Sequence, residues 1–206
     1  MRVLGPWSRV SLLIAVGLLV ATWAVAALTT PDPSGLYVTG VSEPATMIDF
    51  VYVLIRNSLV LALHALACVA GFIAGSALPT VAEGHSGLWR KVHDKAGPLA
   101  IGFVVCATLF SLTTQAFIIG TDASTIAAQL GISPAVLLMT YSLHALPELF
   151  ALFLPLAAWT IASRSGRWNE LLAATVVTVA IAVPILLATA SVEVWLTPRL
   201  LLAVTG

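Results

Sequence analysis

The chain has 206 residues, of which 60% are hydrophobic and 9% charged, with a formal net charge of +0. Soluble domains carry about 25% charged residues, so this composition cannot clothe a water-soluble surface, and it excludes a soluble enzyme. A bilayer span takes roughly 20 apolar residues, so the length accommodates five or six spans and no separate soluble domain.

The first apolar run covers residues 10–28, behind Arg2 and Arg9. Ala24-Val25-Ala26 has the small-x-small form of a signal-peptide cleavage site, but the run is long for a signal peptide's apolar core. It reads as an uncleaved first span. Residues 29–49 form a loop with Pro31, Pro33, Gly35, Gly40 and Pro44. The second run, 50–78, meets Arg56 and Asn57 early, so its first turns sit at the interface and the span proper starts near Ser58. Residues 79–98 are polar. A third span over 99–120 leads into a short loop, 121–133. Pro134 suits the first position of a helix, and the fourth span runs over 134–163, ended by Gly166. The fifth covers 169–192, with Pro184 inside. Residues 196–206 are an apolar tail too short to span, expected at the surface. The expected fold is one integral membrane domain, 1–206: an all-α, polytopic membrane helix bundle of about five transmembrane helices.

Lys and Arg collect on the cytoplasmic side of membrane proteins. Arg2, Arg9, Arg90, Lys91, Lys95, Arg164 and Arg167 share one side of a five-span chain, while the alternate loops hold Asp32, Glu43, Asp49 and Asp122. The N-terminus is therefore expected in the cytoplasm of a multi-pass cell-membrane protein. Arg199 is the one contrary residue. No basic run interleaves with aromatics, so no nucleic-acid partner is expected. Cys68 and Cys106 lie in apolar stretches without metal spacing and read as packing residues.

An ionisable residue inside a span is costly and marks a functional site by default. The candidates are Arg56, His64, His144, Glu148 and Glu193, with the amides Asn57 and Gln115. All lie in the outer halves of their spans or near the middle, which predicts a polar cavity open to the outside and closed below. Asn57 and His64, seven apart, share a helix face that continues through Ala67, Gly71 and Gly75. Small residues at that spacing let helices approach closely. His144 and Glu148 sit at i, i+4 and share a face. Pro147 and Pro155 each remove a backbone hydrogen bond from this helix. Each candidate also has a plain structural role: Arg56 as an interfacial anchor, His64 as a packed core histidine, Gln115 as an interhelical bond, Glu193 as an interfacial carboxylate. His144 with Glu148 is the pair least suited to simple packing. No HExxH pattern is present, and no metal or other cofactor is expected. The reading leans away from an enzyme, and recognition of a partner from outside asks least of these residues.

Several stretches carry a family likeness. Leu143-His144-Ala145-Leu146-Pro147-Glu148-Leu149 resembles the PHGxxEL element of the stage II sporulation protein M family of integral membrane proteins. His144, Glu148 and Leu149 match; Leu143 and Ala145 stand where that family has Pro and Gly. Gly166 sits where the family often ends that helix. Ala190-Ser191-Val192-Glu193-Val194-Trp195-Leu196-Thr197-Pro198 resembles its closing AxxEaxxTP pattern, with Glu193, Thr197 and Pro198 matching. Gln115-Ala116-Phe117-Ile118-Ile119-Gly120 is similar to its NGxxxG, with Gln for Asn and Ala for Gly. Asn57-Ser58 resembles its paired asparagines, one kept. The likeness covers roughly residues 50–198 in order.

The resemblance implies a membrane subunit working with peptidoglycan-degrading enzymes, or, as in relatives found with circular bacteriocins, a protein for maturation, export or self-immunity. The expected partners are membrane lipid and a partner membrane protein, a cell-wall hydrolase or a hydrophobic peptide. Self-association into a homo-oligomer stays open, and an intramembrane metallopeptidase is a third reading.

Overall fold

The computed structural model describes residues 4–206, without the side chains at positions 94, 96, 97 and 100. Among the described residues there is no β-strand; the backbone is helical apart from its connections. Helix α1 is Leu4–Leu28, six residues longer at its start than the apolar run suggests. Helix α2, Met47–Phe72, passes through a π-helical turn, Ile73–Ala77, into α3, Leu78–Glu83. Helix α4 is Gly87–Gln129, α5 is Pro134–Arg164, and α6 is Leu171–Ser191. A second π turn, Val192–Leu196, joins α6 to α7, Thr197–Thr205. Five segments are long and apolar enough to cross a membrane: Leu4–Leu28, Met47–Glu83, Ile101–Gln129, Pro134–Arg164 and Trp168–Thr205. The protein is a multi-pass membrane helix bundle.

Three boundaries differ from the sequence reading. The stretch 79–98 is not an open polar loop: α3 and α4 leave only Gly84, His85 and Ser86 between them, with Pro98 inside α4. The loop placed at 121–133 is helical through Gln129, because Thr121 and Thr125 hydroxyls bond back to carbonyls of their own helix. The tail at 196–206 is a helix whose Thr197, Pro198 and Leu201 are buried.

Local chemistry sets the helix ends. Thr46 and Asp49 form a capping box at the start of α2, and the Ser133 hydroxyl accepts from the Val136 N–H at the start of α5. Gly166, at φ +65°, closes α5. Both π turns have the same cause. The Leu78 N–H bonds to the Ile73 carbonyl and the Thr197 N–H to the Val192 carbonyl, five residues back. Each lies just before a proline, Pro79 or Pro198, which has no N–H to continue the regular ladder.

Helix α5 is the centre of the bundle, packed against α1, α2 and α6. In its most apolar window 61% of residues are buried, against 11% for α4, which leans chiefly on α1 and leaves its other faces uncovered. Close approach is made where side chains are absent. A Cβ on Gly75 would fall 2.2 Å from the Trp168 ring, and one on Gly71 would fall 2.6 Å from the Trp159 indole nitrogen. A Cβ on Gly120 would meet Val25 of α1 at 2.6 Å. The α1–α2 loop folds over one end of the bundle, with Val38 buried among Ala26, Ala123, Leu137 and Leu201. Gln129 Oε1 accepts from the Leu36 N–H at 2.8 Å, and the Ser124 hydroxyl donates to the Thr29 carbonyl at 2.8 Å. In that loop the hydroxyl and N–H of Ser34 donate to Asp32, which holds its carboxyl below the usual range.

Candidate functional site

Helix α5 brings His144 and Glu148 to one face by their i, i+4 spacing, and both are buried, 6% and 8% exposed. Helix α2 supplies Arg56 and Asn57 opposite them, and the π turn after α6 supplies Glu193. Arg56 Nη2 donates to both carboxylate oxygens of Glu193, at 3.1 and 3.4 Å, while its Nε donates to Asn57 Oδ1 at 3.4 Å. His144 Nδ1 and the Thr197 hydroxyl are hydrogen-bonded at 2.9 Å. The Glu148 carboxyl lies beside Asn57 and Glu193. Tyr141, one turn before His144, packs its ring 5.6 Å from the imidazole. Phe50 stacks on Trp195 at 5.2 Å and clamps the start of α2 against the π turn.

Of the seven candidates, five therefore meet: Arg56, Asn57, His144, Glu148 and Glu193. Two do not. His64 Nδ1–H donates to the Leu152 carbonyl at 2.9 Å, and its ring packs on Phe153. Its other side lines an apolar crevice of about 230 Å³ between α2 and α4. His64 serves the middle of α5, where the carbonyls of Phe150, Leu152 and Pro155 accept from Ser11, His64 and Cys68. Gln115 donates to Ser111 of its own helix at 2.9 Å and crosses to no other. Thr197 and Tyr141 were missed as site residues. A threonine directly before a proline, four residues after a candidate glutamate, was the available signal for Thr197. Tyr141 had the one-turn spacing to His144.

The site is a packed cluster, not the open cavity expected. Asn57 is 3% exposed, and its Nδ2 and the Oε2 of Glu148 are shut off from solvent. Among the described residues neither atom forms a well-aligned hydrogen bond, although the Asn57 and Glu193 side chains lie within hydrogen-bonding reach of the Glu148 carboxyl. The ion pair is the solvent-exposed part, with 49% of the Arg56 side chain and 23% of Glu193 accessible. Two carboxyl groups thus share one guanidinium. The Thr197 hydroxyl on His144 has the form of a nucleophile and its base, but Thr197 is 3% exposed, so no substrate carbonyl reaches it in this conformation. Among the described residues no three His, Cys, Asp or Glu side chains come together as metal ligands.

No protein-family model, curated protein or solved structure matches this chain.

Proposed function

We propose that the chain is a stage II sporulation protein M-like membrane subunit that binds a partner polypeptide at this polar site, facing the outside of the cell membrane. One observation carries the reading. Asn57, His144, Glu148, Glu193 and Thr197 are residues by which three separate stretches resemble that family, and they meet in one cluster. Packing alone does not favour such a group. A carboxylate at the centre of a bilayer costs at least about 2.5 kcal/mol, and a buried acceptor without a donor about 1–3 kcal/mol. Glu148 and Asn57 lie within reach of each other, but Glu148 Oε2 and Asn57 Nδ2 lack a well-formed hydrogen bond among the described residues. The Arg56–Glu193 pair, nearer solvent, is the part that must move to admit the partner.

Site-specific photocrosslinking in intact cells tests this. A photoreactive residue at Tyr52 or Leu196, exposed near the site, is compared with one at Leu66, exposed well down α2. A discrete polypeptide adduct at 52 or 196, absent at 66 and lost in Glu148→Gln, supports the reading. Lipid adducts alone at all three positions overturn it. A small hydrophobic peptide as the adduct moves the assignment to the relatives that mature, export or confer immunity to circular bacteriocins.

A further inference from the structure

At the opposite end of the bundle, two histidines outside the polar cluster face each other across the three-residue turn between α3 and α4. The His85 and His93 ring centroids are 5.1 Å apart, with planes inclined by 42°. His85 Nδ1 lies 3.1 Å from the Val81 carbonyl and His93 Nδ1 lies 2.8 Å from the Trp89 carbonyl. A carbonyl oxygen only accepts, so in both rings the proton is on Nδ1 and the lone pair on Nε2. This is the arrangement of metal-ligating histidines, whose second nitrogen donates to a backbone carbonyl that fixes tautomer and orientation. A tetrahedral Zn²⁺ with Zn–N of about 2.0–2.1 Å sets two imidazole centroids roughly 5 Å apart.

We propose that His85 and His93 form a two-imidazole site for a borderline divalent metal ion, Zn²⁺ above all, which staples the end of α3 to the first turns of α4. Imidazole nitrogen selects Zn²⁺, Cu²⁺ and Ni²⁺ over Mg²⁺ and Ca²⁺. Both rings are reachable, since His85 is exposed and His93 half-buried. No third described His, Cys, Asp or Glu joins the pair, so water completes the coordination shell. The consequence is mechanical. The turn is Gly84-His85-Ser86, and a metal across it fixes the angle at which α4 leaves α3.

The test is zinc titration of purified, untagged full-length protein in detergent, by calorimetry and by metal analysis after gel filtration. Wild type is compared with His85→Asn, His93→Asn and the double variant. The expected result is one Zn²⁺ per chain, weakened at least about tenfold by either single change and absent in the double variant. Cu²⁺ gives a second readout, because the Trp89 ring lies 6.4 Å from that of His93. Bound Cu²⁺ should quench a fluorescence component that Trp89→Phe removes. No stoichiometric binding to wild type, or binding unchanged in the double variant, overturns the proposal. Far-UV circular dichroism shows that each variant is folded, so loss of binding is not loss of structure.

Discussion

Arg56 and Glu193 are 137 residues apart in the chain and 3.1 Å apart in the fold, and Glu148 lies beside the same carboxylate. Two acidic groups depend on one guanidinium, so the partners are not equivalent. Arg56→Gln leaves both carboxyls facing each other. Glu193→Gln leaves Arg56 for Glu148. The expected outcome is that Arg56→Gln destabilises more than Glu193→Gln, and that the double variant recovers part of the loss. With the pair this exposed, its coupling should be within about 1 kcal/mol. Double-mutant-cycle unfolding in mixed detergent measures it; equal single costs would contradict the shared-guanidinium arrangement.

Glu148→Gln keeps the shape of the side chain and replaces its carboxyl with an amide. Because Glu148 Oε2 lacks a well-formed hydrogen bond among the described residues, the fold should lose little, with unfolding shifted by less than about 1 kcal/mol. Partner capture at the site should be abolished. A variant that unfolds while the remaining protein still crosslinks would make Glu148 a structural residue.

Thr197 and His144 are a buried side-chain pair at hydrogen-bond distance. Thr197→Val keeps the volume and leaves the His144 nitrogen unpaired, at an expected cost of about 1–3 kcal/mol. Thr197→Ser should retain most of the stability. The comparison is again by unfolding, and a valine variant as stable as the serine one would dismiss the bond.

Gly75 lies in the π turn against Trp168, where a Cβ would come within 2.2 Å of the indole. Gly75→Ala should destabilise by about 1–3 kcal/mol through overpacking. Trp168→Ala should relieve that penalty, so the two changes should be strongly non-additive. Additive costs would mean that the contact is not the cause.

His64 and Gln115 sit apart from the cluster, and their variants should separate from those of Glu148. His64→Leu removes a side-chain bond that the Leu152 carbonyl accepts in addition to its place in the helix, and should lower stability by about 0.5–1.5 kcal/mol while leaving partner capture intact. Gln115→Leu loses only a bond within its own helix and should be close to silent in both assays. Loss of capture without loss of stability in His64→Leu would return His64 to the site.

The all-α class, the five spans and the polar residues worth testing were legible in the sequence because each depends on local properties. A run of apolar residues identifies a span whatever lies beside it. Pro134 and Gly166 mark the ends of α5 through their own backbone limits, and the i, i+4 spacing of His144 and Glu148 places them on one face. The helical starts and ends at 79–98 and 121–133 were not legible. Polar residues there extend the helices beyond the apolar segment, and hydropathy records only the segment. The membership of the cluster was decided by tertiary structure. Asn57 and His64 share a face of α2, yet two turns of helix separate them along the axis. The first meets Glu148, and the second meets the Leu152 carbonyl of α5. Glu193 and Thr197 join because a π turn before Pro198 redirects the chain, and Arg56 reaches them because α2 packs on α6. Those contacts depend on which helix lies beside which, and on the axial register between helices. Neither is encoded in the hydropathy of any single segment.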